Sequence, residues 1–153
     1  MISISASGDF ACAIAGSTEA RCQAENDHGQ LGDGTQVERH VPVAVIDPGT
    51  DLVSITVGAN HACTLSATGA VRCWGRNDHG QLGEGSLLES HVPVDVVNLA
   101  GGVVAISAGA SGHFVCALTD SGVLECWGRN QYGQLGDGTD VDRPLPTPIL
   151  TLP

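Results

Sequence analysis

Six cysteines at one repeated spacing are the residues best able to do covalent chemistry in this chain. They form three pairs with nine residues between the members of each: Cys12 and Cys22, Cys63 and Cys73, and Cys116 and Cys126. The repeat favours disulfides that close within each unit, and buried free thiols are the alternative. Zinc is disfavoured, because each pair is too widely spaced for a CxxC knuckle and no His stands at ligand spacing.

A hairpin between the two cysteines of a pair supports this interpretation. A turn centred on Thr68 predicts that Leu65 faces Val71 and that Cys63 faces Cys73. Directly opposed residues in a non-hydrogen-bonded antiparallel pair have Cα atoms about 4.5 Å apart, at the short end of disulfide reach. Closing so short a loop stabilises the fold by roughly 2–3 kcal/mol at best.

The cysteine pairs belong to a unit that occurs three times. Residues 73–85 read CWGRNDHGQLGEG, residues 126–138 read CWGRNQYGQLGDG, and residues 22–34 read CQAENDHGQLGDG. A repeat of about 50 residues is typical of propeller blades or solenoid units. We therefore predict one repeat domain over residues 1–153, with blade 1 at 2–51, blade 2 at 52–103 and blade 3 at 104–153.

The middle unit predicts four strands, at residues 53–57, 61–65, 71–74 and 92–97. Pro93 marks the fourth as an edge strand, because proline cannot donate to a ladder. The predicted fold is all-β, with three propeller blades of four antiparallel strands each. Blade 1 is degenerate, with Gln23 and Ala24 in place of Trp74 and Gly75. A terminal role and plain divergence both explain this difference.

Bulk composition narrows the partners. The chain has 6 basic and 17 acidic residues, for a net charge of −11. Such a surface repels phosphate backbones and anionic lipid, so neither nucleic acid nor a membrane surface is an expected partner. No apolar run approaches the roughly 20 residues of a membrane span, and no signal peptide is visible at the start.

Three equivalent loops carry the residues that we predict to bind a partner. These candidates are Asn26, Asp27, His28, Asn77, Asp78, His79, Asn130, Gln131 and Tyr132. Polar and aromatic side chains repeated on one end of a scaffold favour a protein-binding surface. Ordinary loop residues without a binding role are the alternative.

Other repeated residues favour structure over chemistry. His61 has no recurrent nucleophile or carboxylate to work with, so we expect a structural, hydrogen-bonded histidine. Leu31, Leu82 and Leu135 are predicted to wedge between blades. The acidic stretch 137–142 lacks a full calcium-loop pattern, and we expect solvated turn acids there. No catalytic residue, metal or cofactor is predicted.

The motif residues also carry a resemblance to a known family. Gly58, His61, Cys63 and Leu65 lead into Gly69, Val71, Cys73, Trp74, Gly75, Asn77, Gly80, Gln81, Leu82, Gly83 and Gly85. This order closely resembles the repeat of the regulator of chromosome condensation family, over nearly the whole chain. The cysteine-bearing version is similar to repeats of exported bacterial members, which implies an extracellular, periplasmic or cell-surface location and an oxidising compartment.

The resemblance implies a β-propeller, and propellers typically have about 4–8 blades. Three blades therefore predict a piece of a longer ring, an open arc, or a ring completed by self-association, with a dimer preferred. The leading functional expectation is a non-enzymatic scaffold that binds a protein, with a basic partner favoured. The alternative is a guanine-nucleotide exchange factor for a small GTPase, as in the best-known member of the family. A glycosidase is disfavoured, because no pair of acids stands apart from the repeated turn acids.

Overall fold

The computed structural model describes residues 3–149, whose regular elements are all β-strands. The strands are β1 (Ser3–Ser7), β2 (Phe10–Ile14), β3 (Ala20–Ala24), β4 (Arg39–Ala44), β5 (Leu52–Val57), β6 (His61–Ser66), β7 (Val71–Gly75), β8 (Ser90–Asp95), β9 (Val103–Ala108), β10 (Phe114–Thr119), β11 (Leu124–Gly128) and β12 (Arg143–Pro148). Within residues 3–149 there is no helix long and apolar enough to cross a bilayer.

The strands form three separate four-stranded sheets, each an antiparallel meander in chain order. The prediction of three all-β blades is confirmed. Blade 1 holds β1–β4, blade 2 holds β5–β8 and blade 3 holds β9–β12. The third sheet begins at Val103, one residue before the boundary that the repeat predicts.

The cysteine hairpins have the predicted register. Cys63 lies opposite Cys73 and Leu65 lies opposite Val71. All three cysteine pairs are disulfides with Cα atoms 4.1 Å apart: Cys12–Cys22, Cys63–Cys73 and Cys116–Cys126. The alternative of free thiols is therefore wrong.

Hydroxyl groups join the first strands of neighbouring blades. The Ser3 and Ser5 hydroxyls accept hydrogen bonds from the N–H groups of Ile55 and Val57, at 3.3 and 3.1 Å. The Thr56 hydroxyl accepts one from the Ala108 N–H at 3.0 Å. The strands β1, β5 and β9 therefore lie side by side, and the fourth strand of each blade forms the opposite edge, where its prolines remove no ladder bond.

Strand β8 begins and ends two residues earlier than the sequence predicts. Val96 and Val97 leave the regular strand to cover the preceding loop. The Val97 N–H donates to the Gly83 carbonyl at 3.2 Å, and Val96 packs in the core between blades 2 and 3. Contact with the loop thus replaces regular pairing at this end of the strand.

The core lies between blades. One buried cluster joins Phe10, Ile14 and the Cys12–Cys22 disulfide of blade 1 to Ile55, Val57 and Trp74 of blade 2. The equivalent cluster joins the Cys63–Cys73 disulfide and Leu65 to Val115, Ala117 and Trp127 of blade 3. Leu31 and Leu82 are members of these clusters, one in each, as the sequence predicts.

Candidate functional site

The long loop after the third strand of each blade is fixed by a buried asparagine. The Asn77 amide donates to the Ser86 and Leu88 carbonyls at 3.1 and 2.9 Å, and its oxygen accepts from the Leu82 N–H at 2.9 Å. Asn26 and Asn130 are equally buried and hold their own loops in the same way. These three predicted binding residues lie beneath the surface, where their amides are occupied by the backbone.

An acidic residue completes each loop from inside. The Asp137 carboxylate accepts hydrogen bonds from the Thr139 hydroxyl, the Asn130 amide and Arg143, whose Nε lies 2.7 Å away. Burial alone would raise its pKa, but these hydrogen bonds outweigh burial and lower the pKa to about 2. The expectation of solvated turn acids is wrong for Asp137 and for its equivalent Asp33, whose side chains are 5% and 8% exposed.

Two of the predicted histidines reach across blade boundaries. His28 Nδ1 of blade 1 lies 3.0 Å from Glu89 Oε2 of blade 2. His79 Nδ1 of blade 2 lies 2.7 Å from Asp142 Oδ2 of blade 3. Hydrogen bonds from His28 and then His91 lower the pKa of Glu89, so this carboxylate is ionised well into the acidic range. The histidines thus orient carboxylates of the next blade.

The other predicted binding residues lie on the surface. Asp27, Asp78 and Gln131 are exposed. Asp78 pairs with Arg76 of its own loop, at 2.6 Å from the guanidinium. Tyr132, in the position of the two histidines, is 84% exposed. The structure therefore separates the nine candidates into three buried residues, two that bridge blades and four on the surface.

The loops also present apolar residues that the sequence analysis missed. Val37, Leu88 and Val141 occupy one equivalent position in the three loops and are 57%, 77% and 55% exposed. Each is followed by a carboxylate, and together they form what we call the loop-tip surface: Val37, Glu38, Leu88, Glu89, Val141 and Asp142. The available signal was an aliphatic residue recurring at the same place in an otherwise polar loop.

A shallow depression lies beside the middle of this surface. Its lining includes His28 from blade 1 and Asp78, Leu88 and Glu89 from blade 2. The apolar side chain of Leu88 and two carboxylates therefore border one small concavity. No group of three or more His, Cys, Asp or Glu side chains that could hold a metal occurs in the described chain, 3–149.

His61 differs from the hydrogen-bonded histidine that we expected. Its side chain is fully buried, and neither ring nitrogen has a hydrogen-bond partner among the described residues. Burial, with a smaller contribution from His113, lowers its pKa to about 3. The equivalent residues in blades 1 and 3 are Phe10 and Phe114. His61 therefore acts as a neutral ring that fills space.

Solved structures define the class of fold. The crystal structure of human WBSCR16 superposes with a TM-score of 0.82 and 22% identity, over 96% of this chain and 38% of that chain. Yeast RCC1 (Prp20), solved bound to Kap60, also gives 0.82 at 22% identity, over 97% of this chain and 36% of that chain. The fold is that of propeller blades of this type.

The sequence match then fixes the family. The chain belongs to the regulator of chromosome condensation (RCC1) repeat family, whose profile matches residues 25–65, 68–118 and 121–153. A second profile of the same description matches residues 52–81 and 103–134.

Relatives of known name are much longer. Human E3 ubiquitin-protein ligase HERC2 is 38% identical over 125 residues, which cover 78% of this chain and 2% of that protein. The Ultraviolet-B receptor UVR8 of Arabidopsis thaliana is 32% identical over 126 residues, covering 82% of this chain and 28% of the receptor. This chain thus spans less than a third of the length of either relative.

Proposed function

We propose that the chain is a protein-binding scaffold that acts without catalysis, and that its loop-tip surface contacts the partner. The observation that carries this proposal is the recurrence of an exposed aliphatic side chain beside a carboxylate on three neighbouring loops. Exposed apolar residues ringed by polar groups are typical of protein-binding surfaces.

The rigidity of these loops supports the proposal. The carbonyl groups of Val37 and Leu88 are held by the buried Asn26 and Asn77 amides, at 3.1 and 2.9 Å. The carboxylates of Glu89 and Asp142 are held by His28 and His79. A surface that is already ordered loses little conformational entropy when a partner binds, and this favours affinity.

Charge favours a basic protein as the partner. The net charge is −11, and each aliphatic residue of the loop-tip surface precedes an acid. Complementary charge accelerates association with a basic protein and opposes nucleic acid or an anionic membrane. The three disulfides favour an extracellular, periplasmic or cell-surface setting, where such bonds persist.

Binding to core histones as a basic probe tests this proposal. We expect Leu88→Ser to weaken binding about tenfold, which corresponds to about 1.4 kcal/mol. The matched control is Val123→Ser, because Val123 is 37% exposed and lies in the β10–β11 hairpin at the opposite end of the strands. Both changes are neutral in charge, so long-range attraction is preserved. Equal loss in the two variants, or no binding to any member of a panel of basic proteins, contradicts the proposal.

Guanine-nucleotide exchange is the second candidate. Yeast Prp20p shares this fold and was studied for its binding to Gsp1p and histones. Nucleotide release from a panel of small GTPases tests the candidate directly. Acceleration of release by the full chain, lost in Leu88→Ser, would replace the simple scaffold by an exchange factor that uses the same loops.

Self-association stays a prediction of the sequence. The preferred state was a dimer, and light scattering in solution measures it directly against the chain mass of 15.6 kDa. The structure gives a reason to examine which faces such an association would use.

A further inference from the structure

Neighbouring blades are joined by a hydrogen bond from a tryptophan. The Trp74 indole N–H of blade 2 donates to the Gln30 carbonyl of blade 1 at 2.9 Å. The Trp127 indole N–H of blade 3 donates to the Gln81 carbonyl of blade 2 at 3.0 Å. Both indoles are fully buried. Each blade thus receives the indole of the next blade on its long loop.

A glycine in that loop makes room for the indole. A Cβ atom at Gly32 would lie 2.8 Å from the Trp74 Nε1, and one at Gly83 would lie 2.7 Å from the Trp127 Nε1. A larger residue at either position would therefore push the indole away from its carbonyl acceptor. The loop is shaped for this side chain.

A backbone hydrogen bond forms the second fixed contact. The Gly34 N–H of blade 1 donates to the His91 carbonyl of β8 at 3.0 Å. The Gly85 N–H of blade 2 donates to the Pro144 carbonyl of β12 at 3.1 Å. The fourth strand of each following blade therefore lies against the loop of the blade before it.

Blade 3 carries the same receiving groups without an occupant from the described chain. Gln134, Gly136 and Gly138 stand where Gln81, Gly83 and Gly85 stand. No described residue donates to the Gln134 carbonyl or accepts from the Gly138 N–H. Gly136 and Gly138 are exposed, and near Gly136 a Cβ atom would meet only Ile149, the counterpart of Val96.

The sheet of blade 3 is also apolar on this side. Leu118 and Leu124 are 40% and 41% exposed, whereas the equivalent Leu65 and Val71 of blade 2 are 1% and 2% exposed. Blade 3 covers Leu65 and Val71 in blade 2. The contrast continues the established interface between blades by one more step.

We propose that this receptor face, made of Leu118, Leu124, Gln134, Gly136 and Gly138, binds a further blade of the same repeat type that carries a tryptophan on its third strand. The indole would donate to the Gln134 carbonyl and lie over Gly136. The fourth strand of the incoming blade would supply a carbonyl to the Gly138 N–H. This surface is separate from the loop-tip surface and does not depend on the proposed function.

Blade 1 of a second copy fits the receptor face less well. Its outward side keeps Ile4, 75% exposed, and the small Ala11 and Ala13 that such an interface accepts. Gln23, however, stands in place of Trp74, and Ala24 has the positive φ of 87° that Gly75 adopts at 103°. Gln23 cannot fill the groove over Gly136. The missing indole is what distinguishes blade 1 from a complete occupant.

Restoring the indole tests the proposal. In the full chain, Gln23→Trp with Ala24→Gly gives blade 1 the side chain that the receptor face requires. We expect the native chain to be a monomer at about 10 μM and the variant to be a dimer or larger, with an apparent Kd at least tenfold lower. Sedimentation equilibrium measures both, and near-ultraviolet circular dichroism confirms that the variant is folded.

Further variants make the result specific. Adding Leu118→Asp should return the variant to a monomer, whereas adding Leu88→Asp on the loop-tip surface should leave it associated. A fluorescently labelled native chain should bind the variant, because the native chain has the same receptor face. If the double variant misfolds, Gln23→Trp alone serves in its place.

Three outcomes would overturn the proposal. The native chain would associate as tightly as the variant if blade 1 of a second copy were the true occupant. A folded variant that stays monomeric would show that the indole does not select the occupant. Association that survives Leu118→Asp would place the contact elsewhere on the molecule.

Discussion

Blades 2 and 3 present nearly the same face to the blade that follows them, and only one of these faces is covered. In blade 2 the disulfide, Leu65 and Val71 are buried by blade 3. In blade 3 the equivalent Leu118 and Leu124 are about two-fifths exposed. The comparison shows that a repeat contributes half of a core, and that the neighbouring repeat decides whether that half stabilises the fold.

The largest expected effect follows from removing an indole between blades. Trp127→Ala should lower the free energy of unfolding by about 3–5 kcal/mol, because it leaves a cavity and an unpaired Gln81 carbonyl. Gln23→Ala, at the equivalent exposed position of blade 1, should change it by less than about 0.5 kcal/mol. Urea unfolding measures both. Similar losses in the two variants would show that the blades do not depend on the indole.

A leucine at equivalent positions measures the value of the covering blade directly. Leu65→Ala should cost about 2–5 kcal/mol, since its side chain is buried between blades. Leu118→Ala should cost less than about 1 kcal/mol, because the exposed side chain has much less apolar area to lose. Chemical denaturation of both variants gives the difference. A cost for Leu118→Ala equal to that of Leu65→Ala would mean that blade 3 is also covered in solution.

The disulfides should separate along the same line. Each closes a loop with a sequence separation of 10 residues, for which chain entropy gives about 3 kcal/mol. Cys63 and Cys73 are fully buried, whereas Cys116 is partly exposed. Mild reductant should therefore open Cys116–Cys126 before Cys63–Cys73. Alkylation followed by mass spectrometry gives the order, and simultaneous reduction would indicate global unfolding as the limiting step.

The smallest effect concerns His61 and its phenylalanine counterparts. The pKa of His61 is about 3 in the folded chain, against an ordinary value of 6.5. The unfolded chain therefore binds more protons between these values, and stability falls as the pH falls from 6.5 towards 3. Between pH 7 and pH 5 the loss from this residue should be about 2 kcal/mol.

The matched control for that pH dependence is His61→Phe. Phenylalanine occupies the same place in the other two blades, at Phe10 and Phe114, so the variant should fold. Its free energy of unfolding should vary by about 2 kcal/mol less than that of the native chain over the same pH range. An unchanged slope would show that His61 does not titrate on unfolding in this range.

Much of the fold could be predicted from local patterns. The hairpin register around Thr68 placed Cys63 opposite Cys73 because a turn of fixed length fixes the pairing of the strands that it joins. Strand β8 was misplaced by two residues, because Val96 and Val97 contact the Gly83 loop instead of continuing the sheet. Local alternation of apolar and polar residues carries no information about such a loop contact.

The candidate site could be predicted only in part. Recurrence located the loops, but it could not separate the buried Asn77 from the bridging His79 or the exposed Tyr132. That distinction depends on which atoms the backbone and the next blade bring into reach. The expected hydrogen bond of His61 was wrong because the space around its ring is closed by packing, which sequence spacing does not report.

The sequence by itself determined the repeat, the number of blades, the cysteine pairs and the family, because these depend on residue type and on spacing along the chain. Only the tertiary structure decided that Trp74 and Trp127 donate to the loop of the preceding blade. It also decided that His28 and His79 bridge blades, and that blade 3 keeps the same receiving groups exposed. These contacts join residues more than 40 positions apart, and their existence depends on how whole sheets stack.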